Sequence, residues 1–285
     1  MPLRLTPRLP GREKLQCSLH GETPVAHPWI GDHRSGRRGQ CGIGTAVTVK
    51  QVEDTADRRN KTWCIHCGSR LEQVIANRDH APSKALLDEP FPANLPLTRV
   101  CQPCNSSFAE DEEYTAAFLG AVLSGGTNPD AQVVDRPKAT FRSNVALRAR
   151  IERSKTVERD LFGQETVAWS PEHDRLRRVL IKNARGHAFY ELGEPMLGEP
   201  SRVWFGPLVV LDETQSEVFE NVVWPEGLMP EVGSRLMTRF ITGDDLDEGW
   251  IIVQEGVYRY AVLQSGGVIV RLVMREYLAA EIIWE

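Results

Sequence analysis

Four cysteines bracket an Asp-His pair in this sequence. Cys64-x-x-Cys67, in CIHCG, lies upstream of Asp79-His80, in RDHAPSKALL, and Cys101-x-x-Cys104, in CQPCN, lies downstream. Each Cys-x-x-Cys places two thiolates on one tight turn. Two such knuckles complete a tetrahedron of four sulfurs, with Zn–S near ~2.3 Å. A closed four-sulfur shell has no open position for water, so the zinc it implies is structural and contributes directly to folding. His66, inside the first knuckle, is expected to point outward, because four sulfurs already fill the shell. An Asp-His dipeptide alone is usually an ordinary loop or surface pair. Between two knuckles it becomes a candidate for chemistry, because histidine titrates near neutral pH.

The elements that must position these residues are legible in part. Residues 48–60 read as a short helix feeding the first knuckle. After the second knuckle, the stretch from Ser107 to Gly125 is the clearest helix in the chain. Ser107 and Glu110 form a capping-box pair, acids crowd the first turn, and Tyr114, Ala117, Phe118, Ala121 and Val122 share a face. Gly125 supplies the stop, and Pro129 and Pro137 mark a linker. Two basic helical stretches follow, 146–155 and 171–192. In the second, Leu176, Val179, Leu180, Ala184 and His187 share one apolar face, with Arg175, Arg178, Lys182 and Arg185 largely off it. His187 on that stripe reads as a core histidine. From 201 onward, runs of β-branched and aromatic residues separated by Gly256 and Ser265-Gly266-Gly267 predict an antiparallel meander.

The order Cys-x-x-Cys, Asp-His, Asn, Cys-x-x-Cys-Asn and then a helix resembles the HNH endonuclease family. The matching pieces, CIHCG, RDHAPSKALL, ANLPLTRVC and CQPCNSSF, lie within residues 60–123. Two features depart from the usual pattern. A Pro-containing APSKALLDEPFP replaces the Gly-rich turn after the histidine, and the third motif residue is Asn105 rather than histidine. The resemblance implies a ββα-metal fold, here a treble-clef variant with two knuckles. It makes His80 the general base for hydrolysis of a DNA phosphodiester. It makes Asp79 and Asn105 oxygen ligands of one catalytic Mg²⁺ or Mn²⁺, and it makes Asn94 the group that orients the His80 ring. Lys84 is then a candidate phosphate contact. The competing reading is a non-catalytic treble-clef zinc module that binds nucleic acid or protein. That reading needs only the cysteines and leaves Asp79, His80, Asn94 and Asn105 as coincidences.

The expected whole is an α+β protein. A basic, poorly ordered arm spans 1–47, the zinc-bearing nuclease module 48–125 and a linker 126–145. A C-terminal domain of basic helices and an antiparallel sheet spans 146–285. Cys17, His20, His27, His33 and Cys41 in the arm match no knuckle spacing, and RGQCGIGT lacks the strand–turn–helix frame of a phosphate loop. No run approaches the ~18 apolar residues that a membrane span needs. The N-terminal stretch lacks the apolar core of a secretory signal, and paired knuckles suit a reducing compartment, so a cytoplasmic protein with no membrane partner is expected. The net charge is −5 but unevenly spread. Residues 136–185 hold 13 Lys and Arg against 6 Asp and Glu, whereas 186–285 hold 6 against 17. The basic block, with Arg178 and Lys182 at its centre, is therefore a candidate surface for double-stranded DNA. The opposing possibility is that its cations pair internally with acids of the C-terminal region, which is also left open for a protein partner.

Overall fold

The structure, a computed structural model, describes residues 61–159, 165–222, 224 and 229–285. The readings of the arm 1–47 and of a helix over 48–60 lie outside the described residues. From residue 61 the chain runs β1 (Ala76–His80), β2 (Leu97–Cys101), α1 (Gln102–Ser107), α2 (Ala109–Ser124), α3 (Asp135–Ser143) and α4 (Val145–Glu152). It continues through β3 (Lys155–Arg159), β4 (Glu165–Trp169), α5 (His173–Leu192), β5 (Arg202–Pro207), α6 (Glu213–Glu220) and α7 (Arg235–Thr242). It ends in β6 (Leu246–Asp247), β7 (Trp250–Gln254), β8 (Tyr258–Gln264), β9 (Val268–Met274) and β10 (Leu278–Trp284). Helix and sheet are thus mixed in an α+β arrangement.

The C-terminal runs of Val, Ile and Tyr pair as expected. A six-stranded antiparallel sheet has the order β5-β10-β9-β8-β7-β6, with tight turns at Gly256 and Gly266. Two smaller antiparallel pairs stand outside it, β1 with β2 and β3 with β4. The hairpin β3–β4 replaces the end of the helix expected over 146–155, which stops at Glu152. Helices α6 and α7 were not anticipated. Both start on side-chain caps, Asp212 accepting from the Gln215 amide and Ser234 from the Met237 amide.

Helix α2 buries Tyr114, Ala117, Phe118, Ala121 and Val122 as its spacing predicts, and Gly125 ends it at φ 69°. Its start differs from expectation. Ser107 closes α1, and its hydroxyl donates to the Cys104 carbonyl at 2.8 Å, so no Ser107–Glu110 capping box forms. Residues 126–145, expected as a linker, contain α3, which buries Pro137 and Phe141.

Helix α5 is the centre of the described residues. From Val179 to Leu192 every residue is buried, because α2 lies along one side, the large sheet along another and the β1 end along a third. One hydrophobic core runs from Leu86, Leu95 and Phe118 through Leu180 and Ala184 of α5 to Tyr260, Val270 and Ile282 of the sheet. The stretches expected as separate domains, 48–125 and 146–285, share this core over their described residues. The 81–96 loop is also tied to the sheet. Asp88 pairs with Arg275 at 2.7 Å, and its backbone N–H donates to Gln254 at 2.9 Å.

His187 sits where α5 meets the sheet, fully buried. Its Nε2 lies 3.0 Å from the Tyr258 hydroxyl, and its ring stacks on Tyr260 with centroids 3.7 Å apart. Burial pushes its pKa down to about 3. The folded state therefore keeps the ring neutral, while the unfolded chain takes up a proton below about pH 6.5. Stability contributed here is present near neutrality and is lost as the pH falls through that window, by about 2 kcal/mol between pH 6.5 and pH 5. Urea denaturation of wild type and His187→Phe across this range should give a steeper acid-side loss for wild type, and parallel slopes would refute the assignment.

Candidate metal and catalytic site

The four knuckle cysteines converge. Their Sγ atoms all lie within 4.8 Å of one another, close enough to hold a metal ion such as zinc. Local structure explains the convergence. After Cys64 the chain turns tightly, with the Gly68 amide donating to the Cys64 carbonyl at 2.8 Å, and Gly68 itself takes φ 70°. Cys101 ends β2 and Cys104 falls in the first turn of α1, where Pro103 costs no hydrogen bond. Cys64 and Cys101 are buried with Ile65, Leu71 and Val100 against Phe189 of α5, while Cys67 faces solvent. Four sulfurs this close cannot all be thiolate without a cation among them, and the donor set is that of a closed zinc shell.

Asp79 and His80 end β1, which pairs with β2 so that Asp79 faces Thr98 and His80 faces Leu97. Successive residues of a strand point to opposite faces, so these two side chains diverge. That of Asp79 turns inward. Its Oδ1 accepts from Lys182 Nζ at 3.0 Å, and its Oδ2 lies 3.8 Å from His66 Nε2. Burial opposes its ionisation, but the neighbouring His66 and the Lys182 ammonium outweigh it and hold the carboxyl below the usual range. His80 is half-buried. Burial, and then the Lys84 and Lys182 ammoniums, lower its imidazole below the ordinary value against the pull of Asp79.

Two expectations are overturned here. His66 does not point outward. Its side chain is 3 % exposed, lies edge-on to Phe108 and looks toward Asp79. Lys182 is not a surface contact for DNA. Its side chain is also 3 % exposed, and its three N–H donors go to Asp79, to Ser83 Oγ at 2.8 Å and to Glu112. Arg178 is nearer to expectation, at 48 % exposed, but its guanidinium is bound to Asp111, which Arg175 also contacts at 2.8 Å. The partners of this basic helix therefore include Asp111 and Glu112 of α2, together with Asp79 of β1 and the nearby Glu172. Among the described residues, only Arg177 and Arg185 of this helix reach into the acidic C-terminal region, both toward Glu199.

The remaining candidates are less gathered. Lys84 is exposed in the loop after β1, with Nζ 5.1 Å from the Phe91 ring. Asn94 is half-buried in the same loop and Asn105 half-buried on α1, which packs on β1 and β2. Among the described residues no hydrogen bond joins Asn94 to His80 or Asn105 to Asp79. The sequence reading missed Ser83, Glu112 and Asn183. Ser83 donates to Glu112 at 2.5 Å, and the Ser83 amide donates to Asn183 Oδ1 at 2.8 Å. No local pattern marks these residues, because the contacts join positions 29 and 100 apart.

Comparison with family models, curated proteins and solved structures finds no match for this chain. No described helix is long and apolar enough to cross a membrane.

Lys182 and Arg178 should behave differently when truncated. Lys182→Ala leaves Asp79 and Glu112 facing each other without a counter-charge and should cost about 3 kcal/mol or more. Arg178→Ala leaves Arg175 on Asp111 and should cost under about 1 kcal/mol. Urea denaturation of the two variants measures this, and equal losses would show that the buried cluster carries no special weight.

Proposed function

We propose that this chain is a zinc-stabilised endonuclease of the HNH type, hydrolysing phosphodiester bonds in double-stranded DNA, with His80 as general base. The observation that carries the reading is the placement of His80. It ends a strand whose hairpin partner leads directly into the second cysteine pair, and it stays half-exposed while Asp79 beside it is tied inward. The chain order hairpin, knuckle and helix is the order that a treble-clef, ββα-metal reading calls for. Zinc at Cys64, Cys67, Cys101 and Cys104 would fix the start of α1 against β2, and so hold the hairpin in shape.

The chemistry assigned to the chain's own residues is short. The neutral His80 ring takes a proton from a water as that water attacks phosphorus, and the bond to the 3′ oxygen breaks as that oxygen takes a proton from a second water. The lowered pKa of His80 keeps the ring in its proton-accepting form at neutral pH. Lys84, exposed four residues on, would contact the phosphate. The Mg²⁺ or Mn²⁺ expected on Asp79 and Asn105 does not fit the present arrangement, because Lys182 already holds Asp79. No step is routed through such an ion.

Plasmid DNA incubated with the purified chain, with and without added Mg²⁺ or Mn²⁺, should be nicked or cut. His80→Ala should lower the rate by ~10²–10⁴-fold with zinc content and folding unchanged. Full activity in His80→Ala would remove it as the base. DNA binding without cleavage by wild type would favour the non-catalytic zinc module instead.

Metal analysis should find one Zn²⁺ per chain. Cys101→Ser should lose it and unfold the module, since the metal's binding energy is folding energy. Folded protein free of zinc would refute the structural role.

A further inference from the structure

We propose that the Lys182 ammonium is the resident cation of the Asp79–Glu112 site, so that a divalent ion reaches Asp79 only when this lysine is displaced. The inference concerns which cation neutralises Asp79 and does not depend on His80 acting as a base.

Coordination chemistry supports it. A carboxylate from β1, a carboxylate from α2 and the Ser83 hydroxyl converge on one point, an all-oxygen set that a small hard divalent ion would accept. That point is held by Nζ of Lys182, whose three donors are all used there. The lysine is locked in place. Its side chain is 3 % exposed, Nζ lies 5.7 Å from the Phe108 ring centroid, and the next residue, Asn183, anchors Ser83 through its amide. Asn183 is itself fixed by donating to the Val179 carbonyl at 2.7 Å.

A second observation points to the same place. His66, buried on the far side of Asp79, aims Nε2 at Oδ2 from 3.8 Å, and neither ring nitrogen has a hydrogen-bond partner. A nitrogen donor beside a carboxylate is what a metal site offers, yet the cation present is the lysine. A doubly charged ion within ~4 Å of a buried ammonium meets strong repulsion. Occupation of Asp79 by a divalent ion and by Lys182 therefore exclude one another.

Binding of Mn²⁺ to the zinc-loaded full chain, followed by the paramagnetic resonance of the free aqueous ion, tests this directly. Wild type and Asp79→Asn should titrate alike. Lys182→Met, of similar length and uncharged, should gain one site at least about tenfold tighter than any in wild type, and Lys182→Met/Asp79→Asn should lose it again. Wild-type binding that Asp79→Asn abolishes would overturn the proposal. So would a folded, zinc-retaining Lys182→Met with no gain. If Lys182→Met does not fold, the comparison of wild type with Asp79→Asn decides alone: identical titrations support the proposal and Asp79-dependent binding overturns it. Because DNA cleavage is not the readout, a negative result here is separable from failure of the nuclease reading.

Discussion

Burying an ammonium is costly unless every donor finds an acceptor and the charge finds its opposite. Lys182 meets both conditions by drawing one group from β1, one from α2 and one from the loop between the two hairpin strands. The hairpin that bears His80 is thereby attached to the central helix α5. The hairpin, α2 and α5, distant in sequence, become one rigid corner, because moving any of them would strand a buried charge. The same helix repeats the device near its C-terminal end. Glu191, with no exposure, accepts from Arg239 at 3.0 Å and from the Tyr260 hydroxyl at 2.7 Å, tying α7 and the sheet to α5.

The site and the sheet are for this reason parts of one object. The cysteine cluster packs on Phe189, Asp79 bonds to Lys182, and Asp88 bonds to Arg275 at the turn between β9 and β10. A sheet with no catalytic constellation of its own can thus act as the platform against which α5 is held, and through α5 the hairpin. Precision at a site follows from rigid supporting elements.

What the sequence made legible was what depends on neighbours along the chain. The strands from Trp250 to Trp284 follow from β-branched runs and glycine turns, α2 from its periodic apolar face, and the cysteine cluster from knuckle spacing. What it hid depends on partners far away. A helical wheel assigns α5 one apolar stripe, which places Lys182 and Arg185 toward solvent. In the fold α5 is enclosed on three sides, and the partner of Lys182 stands 103 residues upstream. His66 was misread because a filled sulfur shell says only that the ring is not a ligand there, and leaves its direction to Asp79 and Phe108. The short helix α6 is marked in the sequence by Asp212 and Gln215, which form a reciprocal cap at its start.

Gly186 of α5 lies against Ala81, the residue after His80. A Cβ built on Gly186 would stand 2.6 Å from the Ala81 Cβ, closer than two such carbons approach. The gap between hairpin and helix therefore admits a single methyl group, and the chain has placed it on the hairpin side. Positions 81 and 186 are constrained as a sum of volumes rather than as two identities. Drift in size at either must be matched by the other, or the strand end that carries His80 is levered away from its support.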